Sequence, residues 1–373
     1  MNIKVKGIFD STLKLGLAVT TILLASNFFL EAKQLEYRSF EFTYEVSIPE
    51  IPYGTKMVEV YIPLPSSDDQ QTIISYTISA NLAYTEFVDP TYGNSVLVFK
   101  SYKKAPEQVN IKLKLVVRRR GVILSEAGGQ SESENPGALE RYLAPDKLVP
   151  IDGPILTEAR EVFDENLGDL ENMRLFYDHL FTTMSYDKSG TGWGNGDALY
   201  ACDVRSGNCT DIHSLFIGMA RASGIPARFI MGFPLAEETS EGRITGYHCW
   251  AEFYLQDKGW IPVDISEAIR HPQRREYYFG NLDANRIAFT IGRDIVVGDS
   301  TSTDTLNYFI YPFVRTDAEE PPQVEYEFSF RELDSLATAP FIIPATPQGR
   351  GLCSLPLNTA VTQDVSQING VND

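Results

Sequence analysis

The chain reads as an α+β protein in which an all-β, sandwich-like domain precedes a domain of mixed helices and strands. Two changes of hydrophobic period carry this. From residue 35 to 120 apolar residues alternate at period two or run in short blocks bounded by turn residues, as strands do. From about 155 to 222 the period becomes helical, and strand-like blocks then return up to about 331.

The first element is Lys4, Lys6 and Lys14 with the apolar run Leu15 to Ala25, the basic and apolar regions of a secretory signal. Leu30-Glu31-Ala32 matches the small residues of a cleavage site only in part, so residues 1–32 read as a signal peptide or an uncleaved N-terminal anchor. The apolar run is short and broken by Asn27, which favours the signal and export to a periplasmic or secreted location. Glu41 to Ile48, Met57 to Ile62, Ser95 to Phe99 and Val109 to Val117 are the expected strands of the 35–120 domain. Residues 121–138, rich in Ser, Glu and Gly, read as a flexible linker or loop, and 139–335 as the second domain. That domain should hold helices at 155–166 and 170–184, with strands near 286–297 and 323–331 completing its sheet. The tail 340–373 has prolines and little periodicity, so poor order is expected.

The chemistry is concentrated near residue 209. Leu215, Phe216, Met219, Ala220 and Ala222 recur at helical spacing, and Gly224 with Pro226 gives the stop, which puts Cys209 in a first helical turn. There the free N–H groups and the positive end of the helix dipole favour a thiolate. His248 opens the block His248-Cys249-Trp250-Ala251-Glu252, and Asp264 closes the returning block Trp260-Ile261-Pro262-Val263-Asp264 across the turn at Gln256 to Gly259. A thiol, a base and an acceptor to orient the base are the parts of a nucleophilic site. Mirroring about the turn leaves His248 and Asp264 about three residues out of register, so a bulge or diagonal contact is expected to bring them together.

These blocks, with Gly207-Asn208-Cys209-Thr210-Asp211 through Ile225-Pro226-Ala227-Arg228-Phe229, resemble the core of the transglutaminase-like superfamily in its bacterial exported branch. The resemblance implies a papain-like α+β fold with Cys209, His248 and Asp264 as its triad, and an all-β domain ahead of it. It continues through Phe279 to Leu282 and from Asn285-Arg286-Ile287 to Gly292-Arg293-Asp294.

Other residues are weaker candidates. Asn208 reads as the N-cap, and Gly207 as a point of close substrate approach. Trp193 and Asn195, in the glycine-rich stretch 190–197, join Asn208 as candidates for the oxyanion site or cleft. That stretch lacks the lysine of a phosphate-binding loop. His213, one helical turn after Cys209, is a packing histidine first and a substrate-binding candidate second, as is Trp250 on the strand face of His248. Glu252 on the same face reads as a satisfied structural carboxylate, and Cys249, on the opposite face, as a buried bystander.

The formal charge of -18 becomes -19 without residues 1–32, which hold three lysines and two acids. Such a surface repels nucleic acid, so a protein or peptide is the expected partner. Asp68-Asp69 and Glu237-Glu238 carry no EF-hand pattern, and neither a metal nor another cofactor is expected. Of four cysteines, the nucleophile must be free; Cys202 and Cys353 are a candidate disulfide. The expected function is attack of Cys209 on a peptide or glutamine-type amide through a thioester, with hydrolysis favoured over cross-linking. The alternative is a binding or assembly protein that keeps the fold with weak catalysis.

Overall fold

The computed structural model describes residues 37–124, 136–298 and 304–333, which lie in one compact unit beginning at Tyr37. The signal or anchor at 1–32, residues 125–135 of the expected linker, and the tail with Cys353 lie outside the described residues.

Six strands come first: β1 Tyr37–Ile48, β2 Val58–Leu64, β3 Gln71–Ala80, β4 Tyr84–Val88, β5 Ser95–Ser101 and β6 Val109–Arg120. On β1, Phe40, Phe42, Tyr44, Val46 and Ile48 alternate into the interior, where Val60 and Ile62 of β2, Phe99 of β5 and Leu115 of β6 join the same apolar cluster. Four helices follow: α1 Gly153–Val162, α2 Asp169–Thr183, α3 Ala198–Val204 and α4 Cys209–Ala222. Every residue of α4 from Cys209 to Arg221 is buried, because the other three helices and a sheet surround it. That sheet is antiparallel and contains β7 Ala227–Pro234, β9 His248–Leu255, β10 Gly259–Val263 and β11 Arg286–Ile291, in the order β10-β9-β7-β11. The short β8, Glu241–Ile244, lies between β7 and β9 in sequence but belongs elsewhere. Helix α5, Ile265–Arg270, follows β10 directly.

Two late strands depart from the expected plan. Strand β12, Phe313–Thr316, pairs with β2, and β13, Glu325–Glu332, pairs with β1 and with β8. The all-β part is therefore a five-stranded sheet, β8-β13-β1-β6-β3, and a four-stranded sheet, β12-β2-β5-β4. Only the first of the two late strands expected in the core sheet, β11, is in it. Alternation shows that 325–332 is a strand without showing its partner, and the partner is chosen by packing: Phe328 lies 4.6 Å from Tyr44 and 4.4 Å from Phe233, ring centre to ring centre. A boundary at residue 139 thus does not separate two continuous folding units. The described start of the expected linker is also tied down, since Val122 bridges Leu282 and Leu124 N–H donates to Asn281.

One glycine bears on the site. Gly232 on β7 is the register partner of His248, and a Cβ there would lie 2.0 Å from the Ile287 carbonyl oxygen. Only glycine lets β11 close against β7 at this point, next to a register shift between Ala288 and Thr290.

Candidate active site

Helix α4 begins at Cys209 because Asn208 caps it. The Asn208 side chain accepts from Thr210 N–H at 2.9 Å, and Asp211 reaches back to accept from Asn208 N–H at 3.0 Å, a reciprocal capping box. Asp211 also accepts from the N–H groups of Gly194 and Gly196, at 2.7 and 2.9 Å. One buried carboxylate therefore ties the glycine-rich loop to the thiol's helix. Burial raises the Asp211 pKa even against these donors. A Cβ at Gly207 would lie 2.6 Å from that carboxylate, so Gly207 makes room for Asp211 rather than for substrate as expected. The loop is held from its other side by Arg293, which donates to the carbonyls of Gly196 at 2.7 Å and Asn195 at 3.0 Å.

The gap between His248 and Asp264 closes without a bulge. Ala251 pairs with Val263, and the strand then ends. Asp264 is the N-cap of α5, its Oδ1 accepting from Glu267 N–H at 3.1 Å and Ser266 Oγ at 3.0 Å. The turn into α5 swings the other oxygen, Oδ2, to 2.7 Å from His248 Nε2. With Nε2 engaged, Nδ1 is left to face the thiol.

Cys209 is only 2% exposed, and Cys249 and His248 are the neighbours that set its charge. The Cys249 thiol, then the His248 ring and its charge, outweigh burial and bring the Cys209 thiol down to about 5. Burial acts against the charged form of His248, yet Asp264 and the Cys209 thiolate push it up to about 10. Asp264 is buried as well, which alone would raise it, but His248 and Arg286 hold it well below the usual carboxylate range. These directions agree on a thiolate and an imidazolium at neutral pH.

Sequence reasoning missed Arg286. Its Nη1 donates to the same Asp264 oxygen at 2.9 Å, it sits over the Trp250 ring at 5.1 Å, and Asp283 lies at 3.4 Å on its other side. Asn285-Arg286-Ile287 was part of the family-like pattern, but nothing local aims an arginine at Asp264. The lesser candidates have partners of their own. Asn195 donates its amide to Gly192 within its own loop, and Asn208 spends its amide on the Tyr247 hydroxyl at 3.0 Å. Trp193 is half-buried in the same loop. Trp250 is 1% exposed between Arg286 and Arg119, and His213 is fully buried, so neither is open to a substrate. Glu252 is paired with Arg228 at 2.6 Å. Cys202 donates to Glu158 at 3.1 Å and is a free thiol. Among the described residues no group of three or more His, Cys, Asp or Glu side chains is arranged to hold a metal ion.

Residues 158–265, the segment that runs from within α1 past Asp264, match the family model of the transglutaminase-like superfamily. They are a transglutaminase-like domain. A Haemophilus influenzae protein is 24% identical over 346 residues, which cover 79% of this chain and 91% of its own. A Pseudomonas aeruginosa protein-glutamine gamma-glutamyltransferase is 32% identical over 88 residues, 22% of this chain and 13% of the relative. The crystal structure of "a Putative Cysteine Protease from Cytophaga hutchinsonii" superposes with a TM-score of 0.50 at 15% identity, covering 79% of this chain and all of that one. This last likeness extends the shared fold beyond the transglutaminase-like domain into the sandwich.

Proposed function

We propose that the chain is an exported thiol enzyme that opens peptide or glutamine-type amides through Cys209, His248 and Asp264, and that water is the usual acceptor. The observation that carries the reading is a thiol at the start of a buried helix, its pKa lowered by an imidazole whose Nε2 is 2.7 Å from a buried carboxylate. The Cys209 thiolate attacks the carbonyl carbon, forming a C–S bond, and the C=O electrons move onto oxygen. The Asn208 cap engages the N–H groups of Thr210 and Asp211, and the Cys209 N–H, first in the helix, serves the oxyanion. Collapse of this intermediate breaks the C–N bond while His248 gives its proton to the leaving nitrogen. His248, now neutral, takes a proton from the incoming water, and release of the acid restores thiolate and imidazolium. Asp264 holds the tautomer throughout.

Export is supported by the basic and apolar amino end, and hydrolysis by the fold shared with the protein titled "a Putative Cysteine Protease". The glycine-rich loop 190–197 is fastened by Asp211 and Arg293, so admission of water does not rest on its mobility. The test is to incubate the purified, reduced protein with a glutamine-containing protein, with and without a labelled primary amine. Ammonia release or peptide cleavage without the amine is expected, and Cys209→Ala should abolish it. Amine incorporation with no hydrolysis would make the protein a cross-linking transferase, and inactivity toward every amide would favour the binding reading.

A further inference from the structure

We propose that the cavity beside Tyr326 is a substrate subsite for an uncharged aromatic side chain, about three residues along the peptide from the amide that Cys209 opens. The proposal rests on the function proposed above and deepens it.

The cavity begins where an apolar sheet face runs out. On β13, Tyr326, Phe328 and Phe330 share one face, because side chains alternate along a strand. Phe328 and Phe330 are 3% and 4% exposed, whereas Tyr326 is 43% exposed. The pairing strand explains the difference. Gly242 of β8 lies opposite Phe330 and Ile244 opposite Phe328, and β8 then ends. Continued by two residues, this register sets Gly246 opposite Tyr326, and a Cβ at Gly246 would meet nothing within 4 Å. The backbone at Gly246 has no positive φ, so its conformation does not call for glycine. The absence of a side chain there leaves open space next to the strand end.

A cavity of about 340 Å³ results, within the size range of pockets that take small ligands. Tyr311, Tyr326 and Phe328 form its apolar wall, and Thr245 borders it on the side of the catalytic strand. Tyr311 and Tyr326 are stacked, with ring centres 4.9 Å apart. A flat ring extends such a stack. Arg243 and Glu327, which also line the cavity, are 3.3 Å apart and neutralise each other, so a charged side chain gains nothing there.

A line of rings joins the cavity to the catalytic groups. Tyr311 lies 5.9 Å from Tyr247, ring centre to ring centre. Tyr247 directly precedes His248, and its hydroxyl accepts from the amide of Asn208, the residue before Cys209, at 3.0 Å. Thr245 is three residues before His248, a span of at most about 10 Å. An extended peptide with its amide at Cys209 covers that span in about three residues.

The test separates binding from turnover. Fluorescein-labelled peptides carry one glutamine and a single phenylalanine, placed at each of the nearest positions on either side in an alanine and serine background. They are titrated into the Cys209→Ala protein and followed by anisotropy. Affinity should peak with phenylalanine about three residues from the glutamine on one side, about tenfold above the peptide without it, the size of one aromatic contact. Aspartate or lysine in its place should lose the gain. Adding Tyr326→Ala should bring the ratio close to one, whereas Tyr326→Phe should keep it. Tyr53→Ala, a fully exposed tyrosine outside the cavity, should leave it unchanged. If Tyr326→Ala does not fold by circular dichroism, Tyr326→Thr, a strand former without a ring, takes its place. A flat profile, or a preference that survives loss of the Tyr326 ring, overturns the proposal. So does self-association in sedimentation that Tyr326→Ala abolishes while no peptide preference exists, since the cavity then belongs to a second copy. Failure of the underlying reading shows elsewhere: the binding preference stands, yet the wild type releases neither ammonia nor fragments from the preferred peptide.

Discussion

Asp264 divides its two oxygens, one to the start of α5 and one to His248 and Arg286, so a single side chain sets both where the helix begins and which way the imidazole faces. Asp264→Asn keeps the size and the cap but can no longer take a charge-assisted bond from Nε2–H. Turnover is expected to fall by about four orders of magnitude, by analogy with the serine-protease aspartate, while KM changes little. A loss smaller than tenfold in steady-state kinetics would show that His248 takes its orientation elsewhere. Arg286 shares the same oxygen and makes the carboxylate a weaker partner for the imidazolium. Arg286→Met leaves Asp264 with one cationic partner, so the basic limb of the pH–rate profile should move up. The same variant breaks a buried pair, at a cost of about 3–5 kcal/mol in denaturant titrations.

At the scale of elements, the loop at 190–197 and the start of α4 behave as one piece because Asp211 accepts from both. Asp211→Ala leaves three N–H groups without this partner. A loss of about 1–3 kcal/mol is expected in urea unfolding, along with a lower kcat, since the N–H of Cys209 is set by that turn. Helix α4, its Asn208 cap and the strands carrying His248 and Arg286 were legible in the sequence, because local periodicity and capping chemistry determine them. The route by which Asp264 reaches His248 was not, since a strand end and a helix cap look alike at the last residue of an apolar block. The role of Arg286 and the sheet that β13 joins were missed for a related reason: their partners lie far along the chain, and alternation reveals a strand's faces without naming what covers them.

Over the whole molecule the buried titrating groups predict how stability follows pH. His213 is brought from 6.5 down to about 4, so the unfolded chain binds the extra proton between those values and stability rises with pH across them, by about 3 kcal/mol. Cys209, lowered from 9.0 to about 5, adds a rise between 5 and 9, and His248, raised from 6.5 to about 10, a fall between 6.5 and 10. The slopes cancel from about 6.5 to 9. Chemical denaturation at a series of pH values should therefore give a rise up to about 6.5, a plateau, and a decline above 9, with the part below 6.5 flattened in His213→Gln. A second consequence follows from β13. The strand that begins at His248 follows β8, and among the described residues β13 is the one strand that pairs with β8. During synthesis, then, the chain has made its thiol, its imidazole and its carboxylate some sixty residues before the strand that anchors their frame emerges. A nascent chain paused in that interval holds Cys209, His248 and Asp264 yet lacks the strand on which β8 pairs.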